Sequence, residues 1–296
     1  MPGRLGALAM DTDVAVFHAP VNEGNTRRAY YQQAATRVLI SGMVISRLAA
    51  AAMLLAAGLT SAQTIRVPVR SQGKATERAL ALPSTAIIVC DMWDKHWCTG
   101  ATRRVGALVE SMEPFLRQAR AAGIQIVFAP SETMDFYREY PQRQAMLALT
   151  KIEPPAALDL PDPPLPIDDK SGGCDTHDTF YKAWTRQHPG LTIDPRDRIS
   201  DNGREVYSFL KERRIENLLV MGVHANMCVL NRSFAIKQMT RWGMRCLLVR
   251  DMTDSMYDPQ DRPFVAHDEG TRLVIDHIEK YWAPSLTSKD FLAALK

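Results

Sequence analysis

Short runs of apolar and β-branched residues alternate along the chain with segments whose apolar positions recur at helical spacing. The runs "TAIIVC" (85–90), "IQIVFA" (124–129), "NLLVMGV" (217–223) and "RCLLVRD" (245–251) predict strands, with weaker ones at 198–200 and 285–287. Helical spacing over 103–122, 205–213, 228–242 and 271–281 predicts the intervening helices. Gly123 and Gly243 fall where helix C-terminal caps belong, each just before a strand. Strands that are apolar throughout and separated by helices require a sheet covered on both faces, since neither side of such a strand tolerates water. The expected architecture is therefore α/β: three layers, α/β/α, around a mainly parallel, Rossmann-like sheet of about six strands.

One stretch breaks the alternation. Residues 153–196, including "EPPAALDLPDPPLPIDDKSGGCD", are rich in Pro, Asp and Gly and hold no sustained period. A loop of that length inside a compact domain is usually functional or disordered; here it reads as a long, irregular but ordered insertion arching over the strand ends.

The N-terminal region stands apart from this pattern. Arg47 precedes an apolar stretch from Leu48 to Leu59, and Thr60 and Ala62 are small residues just before Gln63. That is the layout of a secretory signal peptide, with a mature chain beginning near Gln63. The stretch is shorter than the ~20 residues a membrane-spanning helix needs, so no stable membrane span is expected after cleavage; an uncleaved anchor is the weaker alternative. Residues 1–42 precede the signal awkwardly, so either translation starts at Met43 or the chain carries a long N-terminal extension. In both readings residues 1–62 lie outside the fold, 63–296 form the domain, and the protein is exported to a periplasmic or extracellular location.

Composition adds exclusions. With 46% hydrophobic and 23% charged residues and a formal net charge of +3, the chain is ordinary globular material without the basic run that marks a nucleic-acid binder. Five cysteines must be accommodated in an oxidising compartment. Cys90 and Cys246 lie in strand-like runs and read as small core residues. Cys98 and Cys174 lie in polar loops and are proposed to pair, stapling the insertion, the alternative being that both are free. Cys228 is then the odd thiol.

In sheets of this kind the ligand crevice lies beyond the carboxyl ends of the strands. The residues found there are Asp91, Ser131 with Glu132, Asp201 with Asn202, the segment "HANMC" and Asp251. Cys228 opens a predicted helix, where unpaired N–H groups and the macrodipole favour thiolate and can also face a developing oxyanion. Asp91, after an apolar strand and two residues before Trp93, is the expected base for that thiol, with His96 and His224 as competitors. A buried structural cysteine and a loop carboxylate are the blander readings of the two.

"TAIIVCDMWD", followed by "LLVMGVHANMCVLNRSFAIKQMTRWGMRCLLVRDMTDS", resembles the isochorismatase-like cysteine hydrolases, which include nicotinamidases and carbamoyl-amide hydrolases. The family's Gly-Val-x-x-Asn-x-Cys-Val is matched by Gly222, Val223, Asn226, Cys228 and Val229. The resemblance implies that Cys228 is the nucleophile and Asp91 its base. It also implies a cis peptide between Val223 and His224, the N–H groups of Met227 and Cys228 at the oxyanion, and a homo-oligomer. By position, Trp93, His96, His224, Asn226, Ser131 and Tyr257 are candidates to line the substrate pocket.

The departures are equally specific. The family's catalytic lysine belongs at the end of the strand after the insertion, but "DRISDNGREVYSFL" has no lysine before Lys211. Lys182 and Lys95 are the candidate replacements, ahead of Lys170 and Arg186. Metal-binding members carry Asp-x-His after the second strand, where this chain reads "SETMDFY", so no metal or other cofactor is expected. The Asp-x-His of "CDTHD" reads as a solvated turn. Trp93 and His96 stand where the family has Gln and Phe, which implies a different substrate. The leading expectation is an exported hydrolase that cleaves a small amide or carbamoyl C–N bond through a Cys228 thioester. The rivals are a catalytically silent secreted binding protein on the same fold and a vinyl ether hydrolase, for which no cysteine is needed.

Overall fold

A computed structural model describes residues 63–296; the expectations about the leader, its cleavage and the start at Met43 fall on residues outside that range. Eight strands form one sheet in the order β2-β1-β8-β7-β6-β3-β4-β5. They are β1 (Thr64–Ser71), β2 (Lys74–Ala81), β3 (Thr85–Cys90), β4 (Gln125–Ala129), β5 (Arg198–Ile199), β6 (Asn217–Val223), β7 (Arg245–Asp254) and β8 (Ser285–Leu286). Strands β3 to β8 are mutually parallel and coincide with the six read from the sequence. The surplus over that expectation is the hairpin β1–β2, joined through Gln72 and Gly73 at positive φ and attached antiparallel to β8. In β1, Ile65, Val67 and Val69 point inward and alternate with exposed residues, whereas β2 is mostly exposed and carries little apolar signal.

The helices are α1 (Thr99–Ala121), α2 (Pro141–Leu147), α3 (Gly203–Glu212), α4 (Cys228–Asn231), α5 (Ile236–Arg241), α6 (His267–Tyr281) and α7 (Ser288–Ala294). Every residue of β3 is buried, and its two faces feed two cores. Ala86, Ile88 and Cys90 pack with Val206, Phe209 and Leu210 of α3, Met239 of α5 and Val274 and Ile278 of α6. Ile87 and Val89 pack with Val109, Met112 and Phe115 of α1 and Phe291 of α7. This double covering is what an all-apolar strand requires. Cys90 and Cys246 are buried in the first of these cores, as expected. Asn202 caps α3 by accepting from the N–H groups of Arg204 and Glu205, which contributes about 1 kcal/mol. Among the described residues no helix is long and apolar enough to cross a membrane.

Two element predictions need correction. The helix expected over 228–242 is two short helices, broken at Arg232, whose backbone is extended (φ −60°, ψ 154°). Local links favour the break: the Asn231 amide donates to the carbonyls of Asn226 and Met227, while Ser233 Oγ accepts the Gly203 N–H at 3.0 Å. Strand β7 runs past Asp251 to Asp254. Asp251 instead caps α7 by accepting the Ser288 N–H at 2.8 Å, which leaves Asp254 as the acid at the strand end.

The insertion is irregular but pinned. Its backbone N–H groups at Leu158, Asp168 and His188 donate to the carbonyls of Arg241, Arg262 and Met92. A buried Arg120–Asp197 ion pair at 2.9 Å fixes its end. Cys98 and Cys174 form a disulfide that joins it to the start of α1.

Candidate active site

The register of β3 against β6 sets Cys90 beside Gly222, so the residues that follow, Asp91 and Val223, emerge side by side at the sheet edge. Gly222 (φ +111°) is required for this approach: a Cβ there would lie 2.0 Å from the Cys90 carbonyl oxygen. The Val223–His224 peptide is cis, as the resemblance implied. The chain then turns through "HANM" and delivers Cys228 to the start of α4.

Asp91 is fully buried and held in the left-handed region (φ +44°), an uncommon conformation of the kind found at functional sites. One carboxylate oxygen accepts the Ser131 N–H at 2.6 Å, the other accepts Nε of Arg232 at 3.1 Å, and the Cys228 thiol interacts with the same carboxyl. Burial pushes the Asp91 carboxyl up, and the Arg232 charge, the Cys228 interaction and the Ser131 hydrogen bonds draw it part of the way back. Arg232 supplies the positive charge, and neither candidate lysine does. Its Nη2 reaches Glu132 Oε1 at 3.4 Å, and Glu132 in turn meets Lys182 at 3.7 Å. Lys182 thus acts only through Glu132 and Arg232, while Lys95 lies over the Tyr181 ring. Lys170 and Arg186 are exposed, Arg186 over the Phe136 ring.

The expected field of the helix N-terminus does not prevail at the thiol. Helix α4 is a single turn, and the Cys228 thiol lies well above its ordinary range, raised first by burial and then by the Asp91 charge, against the pull of Arg232. The resting thiol is therefore neutral. Of the two N–H groups expected at the oxyanion, that of Met227 donates to the His224 carbonyl at 3.0 Å; that of Cys228 has no acceptor among the described residues. A depression of about 430 Å³ opens on Cys228, lined by Met227, Asn226, Asn231 and Arg232 and by Leu165 and Asp169 of the insertion.

Compared with known families, residues 85–267 match the Isochorismatase domain. The chain belongs to this family. Solved structures similar to this isochorismatase-family chain include a cysteine hydrolase from Pseudomonas syringae pv. phaseolicola 1448A, with 17% identity over 80% of this chain and 98% of that one and a TM-score of 0.48. An isochorismatase family protein from Burkholderia thailandensis shows 15% identity over 72% and 96% of the two chains, with a TM-score of 0.42. A nicotinamidase from Acinetobacter baumanii shows 16% identity over 71% and 98%, with a TM-score of 0.36. No curated protein is matched.

The remaining candidates of this isochorismatase-family site divide sharply. Asn226 lines the depression, but its amide is occupied, exchanging two hydrogen bonds with the Met256 backbone and donating to Asp169 at 3.2 Å. Trp93 and His96 do not line the depression on Cys228. Trp93 stacks on Trp184 of the insertion (4.3 Å, 8°) and His96 stacks beside them, because the insertion fills the space over the strand ends with aromatic rings. Tyr257 is buried, its hydroxyl donating to the Asp261 carbonyl; Ser131 is buried and serves Asp91 through its backbone. Burial pulls His96 down to about 4 and His224 down to about 3, so both are neutral, and among the described residues neither is hydrogen-bonded to Cys228.

Among the described residues Cys98, Cys174 and Asp178 place ligand atoms within 4.8 Å of one another, a spacing a metal could use, but the disulfide consumes both sulfurs. In "CDTHD", Asp175 pairs with Arg104 and His177 with Asp258. The sequence reading missed Arg232, although it lies four residues after the cysteine; the signal available was an arginine at the i+4 spacing that brings two side chains together on a helix.

Proposed function

We propose that this chain is an exported cysteine hydrolase that cleaves the C–N bond of a small amide or carbamoyl compound. The observation that carries the reading is the buried Asp91 carboxylate, which is shared by the Cys228 thiol and the Arg232 guanidinium. Attack by sulfur on the substrate carbonyl forms a C–S bond as the thiol proton passes to Asp91. Asp91 then gives that proton to the departing nitrogen, the C–N bond breaks, and a thioester remains. Water, deprotonated by Asp91, attacks the thioester and releases the acid, and the thiol recovers its proton.

Arginine changes how the cation works. A guanidinium is not a proton donor near neutral pH, so the leaving nitrogen must take its proton from Asp91. In the resting state Arg232 is balanced by Asp91. Once Asp91 is protonated, the guanidinium charge is left facing the developing oxyanion, so it stabilises the transition state more than the ground state. The unpaired Cys228 N–H supports the same charge.

The Cys98–Cys174 disulfide supports export, since such bonds persist in oxidising compartments. The direct test is to incubate the purified chain with small amides, carbamoyl and ureido compounds, follow ammonia release, and seek a Cys228 adduct by mass spectrometry of the acid-quenched enzyme. Ammonia release that depends on Cys228 together with an acyl mass supports the reading. Release that persists in Cys228→Ala would overturn it, and absence of release across the panel would favour the silent binding protein.

A further inference from the structure

The depression at Cys228 is shaped by two parts of the chain, and the charge on its outer side comes from the insertion. Asp169 is half-buried there and forms no ion pair among the described residues. Its Oδ2 accepts the Asn226 amide at 3.2 Å, which orients the side chain, and its backbone carbonyl accepts the Gly172 N–H at 2.9 Å, which fixes the local turn. The neighbouring Asp168 N–H donates to the Arg262 carbonyl, and the disulfide at Cys174 anchors the segment a few residues on. Oδ1 of Asp169 has no partner among the described residues.

The surrounding charges do not neutralise it. Arg232, the cation that lines the same depression, is matched to Asp91 and Glu132 and forms no ion pair with Asp169 among the described residues. Leu165 gives the same wall an apolar face, suited to a short run of methylenes. A partly desolvated carboxylate with a free oxygen, fixed beside an apolar surface and facing the nucleophile, is complementary to a cation.

We infer that Asp169 is a specificity residue and that the substrate class is a short amide bearing a protonated amine at the end remote from the scissile bond. This rests on the hydrolase reading for the word substrate, but the preference for a cation does not need turnover to be observed. The insertion, on this view, is the segment of the fold that selects the ligand.

The test measures binding to the full described chain with Cys228→Ala, so that nothing is consumed. Titration calorimetry compares β-alaninamide with its uncharged analogue propionamide and the anionic succinamic acid, with glycinamide and 4-aminobutanamide bracketing the spacer length. One charge-assisted hydrogen bond predicts that the best amino amide binds about tenfold or more tighter than propionamide, with the anion weakest. Adding Asp169→Asn should bring that ratio close to one. Equal binding of charged and neutral amides, no measurable binding of any amino amide, or a preference that survives Asp169→Asn overturns the inference. If the preference holds while the unmodified enzyme releases no ammonia from any of these compounds, the hydrolase reading fails and the cation site stands.

Discussion

Arg232 donates from Nε to the buried carboxylate of Asp91 at 3.1 Å, from a position one helical turn beyond Cys228. The break between α4 and α5 extends the backbone at Arg232, and this one residue ties the cysteine segment to the end of β3. Removing the guanidinium in Arg232→Ala should lower kcat/KM for the amide substrate by about 10²–10³, the usual loss for one preorganised transition-state donor. Arg232→Lys should recover only part of this, since a point charge cannot reach Asp91 and Glu132 together. Arg232→Ala also leaves Asp91 buried and unpaired. Because the arginine side chain is 31% exposed, the stability loss should fall near or below the lower end of the ~3–5 kcal/mol seen for fully buried pairs. Steady-state kinetics and urea melts check both.

The Asp91 charge raises the thiol, and the proposed mechanism also makes Asp91 its base, so the two effects separate in Asp91→Asn. The Cys228 pKa, read from the pH dependence of iodoacetamide labelling, should fall in this variant, while amide hydrolysis drops by about 10² or more for loss of the base. A thiol pKa that rises or stays constant in Asp91→Asn would contradict the electrostatics of the site.

Glu132 pairs with Arg232 and, among the described residues, makes no contact with Cys228 or Asp91. In Glu132→Gln the guanidinium is less neutralised, so the Asp91 carboxyl should titrate lower and the acid limb of kcat/KM should move to lower pH, with a severalfold loss in kcat. An acid limb that does not move reduces Glu132 to a surface contact.

Behind the site, His267 hydrogen-bonds Asp254 at 2.8 Å through Nε2 and the Tyr257 carbonyl through Nδ1, so both ring nitrogens face acceptors. Burial opposes the charged ring, but the hydrogen bond and charge of Asp254 outweigh it and raise the His267 pKa, against the smaller effect of nearby Arg104. Its stabilisation is therefore present in full below the unfolded histidine value and lost as pH rises through the folded one. Asp254 is also opposed by burial, yet the His267 hydrogen bond and the His267 and Arg104 charges hold it low, so its contribution is lost as pH falls through its folded value. Melting curves should show that His267→Gln costs about 1.5–3 kcal/mol between roughly pH 4 and 6.5 and less above that window.

The Cys98–Cys174 bond closes a loop with a sequence separation of 76. Cys98→Ser with Cys174→Ser, or reduction by dithiothreitol, should cost about 2–4 kcal/mol in a urea melt. Because the bond anchors the segment bearing Asp169, the same change should weaken binding of the amino amide more than binding of propionamide.

The sequence by itself determined the six parallel strands, since runs such as "TAIIVC" and "NLLVMGV" are apolar on both faces and can exist only between helical layers. It also determined where chemistry would emerge, because Asp91 and Cys228 each follow such a run. The exposed strand β2 left too little pattern to read, and the break at Arg232 was hidden because apolar spacing continues through α4 and α5 while the backbone does not. Tertiary structure alone decided which cation meets Asp91, that Trp184 stacks over Trp93, and that Asp169 lines the same depression as the thiol. Periodicity reports which side of an element is dry. The partner of a charge is set by where a distant loop is pinned, and no local pattern encodes that.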